Sequence, residues 1–189
     1  SGTDSNGDGL LDIVDTEIRV GATNVTAFIG AGHNTSDEMG IRLDNASLGL
    51  LLFQTIDEGA AGPPADATYA VKATADSLAL VGIDGIELGV QSVELAINRS
   101  GESLSGQSVN AGGQAIDMEF ENTLNVTEVR ADVVLDVLGF VSASGSFSFE
   151  KSESRSGADA DGNNLPDVIA TEIEIGATNV NAFVGAGFG

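Results

Sequence analysis

The sequence predicts an all-β protein: an elongated two-layer or β-solenoid-like domain of three strand–bend–strand modules, with an antiparallel β-sandwich as the alternative, and an acidic loop at each end. Three observations lead there. Apolar residues recur at every second position in run after run, and almost no stretch has helical spacing. Twenty-five glycines, eight phenylalanines, one tyrosine and no tryptophan suit thin, closely approaching sheets better than a bulky helical core. Finally, the sequence repeats itself: TEIRVGATNVTAFIGAG (16–32) returns as TEIEIGATNVNAFVGAG (171–187), an offset of 155 residues. The chain reads as one complete repeat and the start of another, with a body of about 150 residues, enough for a single core.

In chain order, Val25, Ala27 and Ile29 alternate with Thr26 and Phe28 in the first strand, which ends at a polar loop from His33 to Met39. The segment GIRLDNASLGLLLF (40–53) then precedes a Gly- and Pro-rich break, EGAAGPPAD. Tyr69, Val71, Ala73 and Ala75 alternate with polar or small residues. GIELGVQSVELAIN (85–98) lies on residues 40–53 without a gap, and GFVSASGSFSFEK (139–151) is a looser third copy. In the second copy Ile86, Leu88 and Val90 are even whereas Val93, Leu95 and Ile97 are odd, so the apolar side must change parity near Gln91 and Ser92; a bulge or corner does this. A polar excursion, 99–113, is followed by alternating Ile116, Met118 and Phe120, and Val129 to Val137 then face opposite to Arg130, Asp132 and Asp136. Most aromatic side chains fall in such runs and are expected to pack in the core. The expected organisation is a loop at 1–17, a repeat body at 18–157, a second loop at 158–172 and the first strand of a next repeat at 173–189.

Charge excludes whole classes of partner. Twenty-nine acidic residues against seven basic ones give a formal charge of −22, which repels nucleic acid and anionic membrane and attracts cations. With no cysteine there is no disulfide, thiol nucleophile or cysteine-type zinc site. No apolar run reaches eighteen residues, so membrane insertion is not expected, and the start lacks the order of a signal peptide. Since it begins inside a repeat pattern, the segment is expected to be a soluble piece of a longer protein with targeting signals elsewhere.

The stretch DSNGDGLLDIVD (4–15) sets oxygen-bearing side chains at its first, third, fifth, ninth and twelfth places, Asp4, Asn6, Asp8, Asp12 and Asp15, with Gly9 at the sixth. A hard cation such as Ca²⁺ takes six to eight oxygens in this way, with a backbone carbonyl, here Leu10, at the seventh place and glycine at the sharp turn. Asp15 stands where a bidentate Glu is usual, and its shorter arm binds through one oxygen. The second copy keeps Asp159, Asp161, Asn163, Leu165 and Asp167, but Asn164 replaces the glycine and Ala170 replaces Asp15. Glu172, two residues further on, is the candidate to reach in, and a weaker site is expected.

The loops resemble the calcium loops of dockerin modules and thrombospondin type 3 repeats, and by that resemblance Asp4, Asn6, Asp8, Asp12 and Asp15 are calcium ligands. The body, in SLALVGIDGIELGVQSVELAIN and GFVSASGSFSFEK, resembles the β-rich tandem repeats of very large secreted bacterial surface proteins and adhesins. That resemblance implies an extracellular or cell-surface structural role with calcium-stiffened junctions, neighbouring repeats as partners, and no catalytic residue. A ligand- or glycan-binding adhesive module, with a concave polar site in 99–113, is the alternative. The strand at 173–187 is expected to pair with an exposed sheet edge, of its own domain or of a neighbouring molecule, and head-to-tail self-association is expected through residues 171–189.

An enzyme is not expected. His33 is the only histidine and aligns with Phe188 in the second copy. Cys–His chemistry is excluded, and no nucleophile-elbow sequence supports a serine triad. Carboxylate pairs such as Asp57 with Glu58, or Glu119 with Glu121, read as solvated faces. The two lysines, Lys72 and Lys151, read as strand-face ion pairs rather than isopeptide donors.

Overall fold

The computed structural model describes residues 2–4, 12–57, 66–120, 124–160, 162 and 166–185. Ten strands occur among them: β1 (Gly2–Thr3), β2 (Ile13–Ala31), β3 (Met39–Asp57), β4 (Thr68–Val81), β5 (Ile86–Asn98), β6 (Ser108–Ala111), β7 (Gln114–Asp117), β8 (Asn125–Val137), β9 (Val141–Ser156) and β10 (Val168–Val184). One antiparallel sheet has the order β1-β2-β3-β4-β5-β8-β9-β10, and β6 and β7 form a separate hairpin. No described residue is helical. The all-β prediction holds, and the arrangement is consistent with a β-sandwich and not with a closed barrel.

The expected parity change is present. Pairing of β5 with β8 slips between Gln91 and Glu94, and Ser92 has φ 51°. Asn24, Asn45 and Asn179 carry the same left-handed backbone in β2, β3 and β10. Their side-chain parity changes there, which keeps the apolar residues of each long strand on one side of the sheet. The first two modules are therefore single kinked strands, β3 and β5. The third departs from expectation: Val141, Ala143, Gly145, Phe147 and Phe149 keep one parity throughout β9, so nothing there requires a bend.

Directly opposed residues share a face. One row runs Ala22, Leu48, Ala73, Leu95, Val129, Phe149, Ile175, apolar across seven strands. On the other face the row Arg19, Leu51, Ala70, Asn98, Val126 continues into Ser152 and Glu172. The β6–β7 hairpin lies over β2 and β3 on this second face. Val109 of β6 and Met118, just after β7, join Leu51, Ala70, Leu104, Phe120 and Val126 in the core, with Phe53, Ala96 and Ile116 packed at the margin. Gly21 and Gly49, directly opposed beneath it, make room: a Cβ on Gly21 would lie 2.8 Å from Val109 Cγ1, and one on Gly49 2.5 Å from Met118 Sδ.

Among the described residues nothing covers the face that carries the apolar row, although Thr127 and Lys151 share that face. Ile18, Val20, Tyr69, Val129, Phe147, Phe149, Ile173 and Ile175 are all exposed. The accessible surface, 11993 Å² for 19.1 kDa, exceeds the roughly 8,400 Å² that a compact monomer of this mass shows. This corrects the expectation that the aromatics pack in the core. Phe53 and Phe120 do, whereas Tyr69, Phe147 and Phe149 are exposed because the hairpin covers the opposite side of the sheet, and Phe140 is exposed in the β8–β9 turn.

Candidate functional site

Each acidic loop links two neighbouring antiparallel strands. The first lies between β1 and β2, closed by the pair Thr3 and Ile13, and the second between β9 and β10, closed by Ser156 and Val168. In the second, the Asp167 amide donates to the Ala158 carbonyl (3.3 Å). The carboxylates at its first and ninth places turn into the loop: Asp159 Oδ1 accepts the Gly162 amide (2.7 Å) and Asp167 Oδ2 the Ala160 amide (2.6 Å). Both bonds lie within the described part of the loop, joining Asp159 to Gly162 and Asp167 to Ala160. Arg155 Nη1 adds a bond to the Pro166 carbonyl (3.3 Å).

Of the other predicted ligands, Asp4 and Asp12 stand at the two ends of the first loop, just before and after residues 5–11. Asn6, Asp8, Leu10, Asp161, Asn163 and Leu165 lie outside the described residues. Asp15 belongs to β2, directly opposite Thr55, whose hydroxyl donates to Asp15 Oδ1 (2.9 Å). Glu172 belongs to β10, opposite Ser152. Five residues of extended chain carry it about 16 Å beyond Asp167. The structure thus gathers Asp159 and Asp167 in one turn and sets Glu172 apart from them. The predicted donor set is all oxygen, with no sulfur or imidazole, which fits a hard cation such as Ca²⁺. Among the described residues no group of three or more His, Cys, Asp or Glu side chains is placed to hold a metal.

Beside the start of β2 the sheet and the excursion enclose a cleft of about 930 Å³. Asp15, Glu17, Asp66 and Glu102 line it together with Gln54, Thr55, Thr68 and Ser100. Its outer wall hangs from Asn98, which is fully buried. Asn98 Nδ2 donates to the Glu102 carbonyl (2.7 Å), and Oδ1 accepts both the Ser100 amide (2.9 Å) and its hydroxyl (2.7 Å). In the sequence Asn98 marks a strand end, and the Ser100-Gly101 turn that follows is the signal for this wall. Arg99 braces the same wall, donating to the Val126 carbonyl (3.3 Å) and to the Thr127 hydroxyl (2.6 Å). Arg19 clamps the hairpin through the Ser108 carbonyl (2.8 Å) and Gln107 Oε1 (2.8 Å), and pairs with Glu17 (2.9 Å).

At the opposite end, the β2–β3 turn is organised by Glu38. Its carboxylate accepts the Asn34 amide (2.9 Å), pairs with Arg42, and lies 3.7 Å from His33 Nδ1. The Asn34 bond, with help from Arg42 and His33, holds Glu38 below the usual carboxylate range against the opposing effect of burial. His33 stacks on Phe28 at 4.9 Å. Lys72 places its ammonium 5.0 Å over the Phe120 ring, a cation–π contact in place of the expected ion pair.

No family model, curated protein or solved structure matches the chain.

Proposed function

We propose that this chain is a structural tandem-repeat module of a secreted bacterial surface or adhesive protein, and that calcium stiffens it by ordering its acidic hairpin turns. The observation that carries the reading is the duplication of one acidic-loop-plus-strand unit at the two edges of a single sheet. Clustered carboxylates repel one another; a divalent cation neutralises them and fixes one loop conformation, so binding free energy becomes ordering free energy. High negative charge suits an exterior rich in salt and calcium, where screening falls to about 3 Å near 1 M. The test is calorimetric titration of calcium into wild type, Asp8→Ala and Asp161→Ala, with melts in calcium and in chelator. Each substitution should remove or weaken one binding event, and chelation should lower the melting temperature. A melt indifferent to calcium overturns the reading.

A second reading, an adhesive module that holds a glycan, is favoured by the cleft. Its carboxylates, amide and hydroxyls suit a hydroxyl-rich ligand, and Ser100, Glu102 and Leu104 bring part of the 99–113 excursion to its wall. A glycan-array signal abolished by Glu102→Ala with Thr55→Val would favour it. A blank array would remove it.

A further inference from the structure

We infer that β10 is a strand shared between two copies of the repeat: its outer edge pairs with the β3-type strand of a following copy, so that consecutive copies form one uninterrupted sheet rather than separate beads. This rests on the tandem-repeat part of the proposed function and not on calcium.

The two strands are interchangeable. Over 16–32 and 171–187 they differ at four positions, and both carry the left-handed Asn, Asn24 and Asn179, at the same place. They also run in the same direction, since six antiparallel steps separate β2 from β10. Over the repeated stretch, from Thr16 and Thr171 onward, each uses the edge that the other leaves open among the described residues. β2 pairs with β3 on one side, β10 pairs with β9 on the opposite side, and no described strand lies beyond β10. Laying β10 on β2 therefore gives a strand with both neighbours present and no clash of direction.

Further observations agree. The outer edge of β2 already accepts an antiparallel strand, because β1 pairs there with Ile13 and Val14. Residues 1–3, SGT, align with 156–158, SGA, at the end of β9, although the two registers differ by two residues. Apolar residues stay on one face through the superposition, Val20 and Ala22 being matched by Ile175 and Ala177. Ile175 is nevertheless 77% exposed where Val20 is 45%. Gly21, which gives the β6–β7 hairpin room, recurs as Gly176, where the side chain of Ser148 now lies against the position a Cβ would take. One clamp is lost, because Glu174 replaces Arg19. Finally, β10 is 17 residues long with no Pro or Lys and with its only charges, Glu172 and Glu174, in its first half, whereas natural edges are kept short or blocked. Its bulge is no edge device, since the inner strand β3 has the same left-handed residue at Asn45.

The experiment compares this chain with one in which Gly187 runs directly into a second copy from His33 onward, Gly187 being the equivalent of Gly32. Amide exchange is read along β10, where alternate amides point to opposite edges. In the single chain the β9-facing set should be protected and the alternate set should exchange at least about 100-fold faster. In the two-copy chain both sets should be protected. A second readout uses the absence of cysteine: Ile175→Cys should form a disulfide with Leu50→Cys of the second copy, as Val20 faces Leu50 here, and not with Leu51→Cys. An outward set that stays fast overturns the inference, and so does loss of protection on the β9 side, which would mean that β10 leaves for a separate domain. A single chain lacking the alternating pattern, or an aggregated two-copy chain, also overturns it. Protection that persists in chelator while calcium titrations are blank would sink the calcium reading alone; normal calcium binding without pairing would sink only the shared strand.

Discussion

Asn24 and Asn179 hold the same left-handed backbone, φ 56° and 54°, at equivalent positions in the strands near the two edges of the sheet. Asn45 and Ser92 repeat the device in inner strands, and each stands where the apolar parity of its strand changes. Asn visits this region at small cost, whereas a β-branched residue costs roughly 1–2 kcal/mol more. Asn24→Val should lower unfolding stability by about that amount, Asn24→Gly should change it little, and Ser92→Gly should raise it by up to about 1 kcal/mol, all from urea midpoints.

Burial is lopsided, and mutation should reveal it. Phe120→Ala removes a ring from the cluster with Leu51 and Met118 and should cost about 3–5 kcal/mol. Phe149→Ala acts on the open face, where the ring is already 38% exposed, and should cost less than half as much. Equal losses would show that the open face is covered in solution.

Asn98→Ala leaves the Glu102 carbonyl and the Ser100 amide without the partners they have here. The expected loss is about 2–3 kcal/mol. Faster amide exchange confined to residues 99–104 would trace it to the cleft wall; unchanged exchange there would refute that role.

Glu38 sets a pH dependence with a definite sign. Its folded value is depressed, chiefly by the Asn34 amide, so its contribution is present above the unfolded value of about 4.5 and is lost as pH falls through the lower folded value. Wild type should exceed Glu38→Gln in stability at neutral pH, and the difference should vanish only below the usual carboxylate range. A difference that grows on acidification would contradict this.

The strands were legible because period two survives in long, half-buried runs, and the slip at Gln91 and Ser92 because a change of parity leaves a visible seam in the sequence. The covering hairpin was not legible. β6 and β7 have four residues each, so Val109, Ala111 and Ile116 give too few repeats of the period to stand out from a polar, glycine-rich excursion. For the same reason, nothing in the pattern told which face the hairpin would cover. At the loops, Asp159 and Asp167 share one turn, whereas Glu172, close to them in sequence, lies on β10. Strand pairing starts at Val168 and fixes an extended path that carries Glu172 away.

The strands of the large sheet run crosswise to the direction in which it grows. Tension along a row of such repeats would pull on inter-strand hydrogen bonds in peel, opening them pair by pair instead of shearing a whole strand at once. Each released strand of the length of β10, 17 residues, would add about 55–60 Å of slack. An array joined through shared strands as inferred above would yield in many small steps, with its first resistance set by how firmly each turn is held shut.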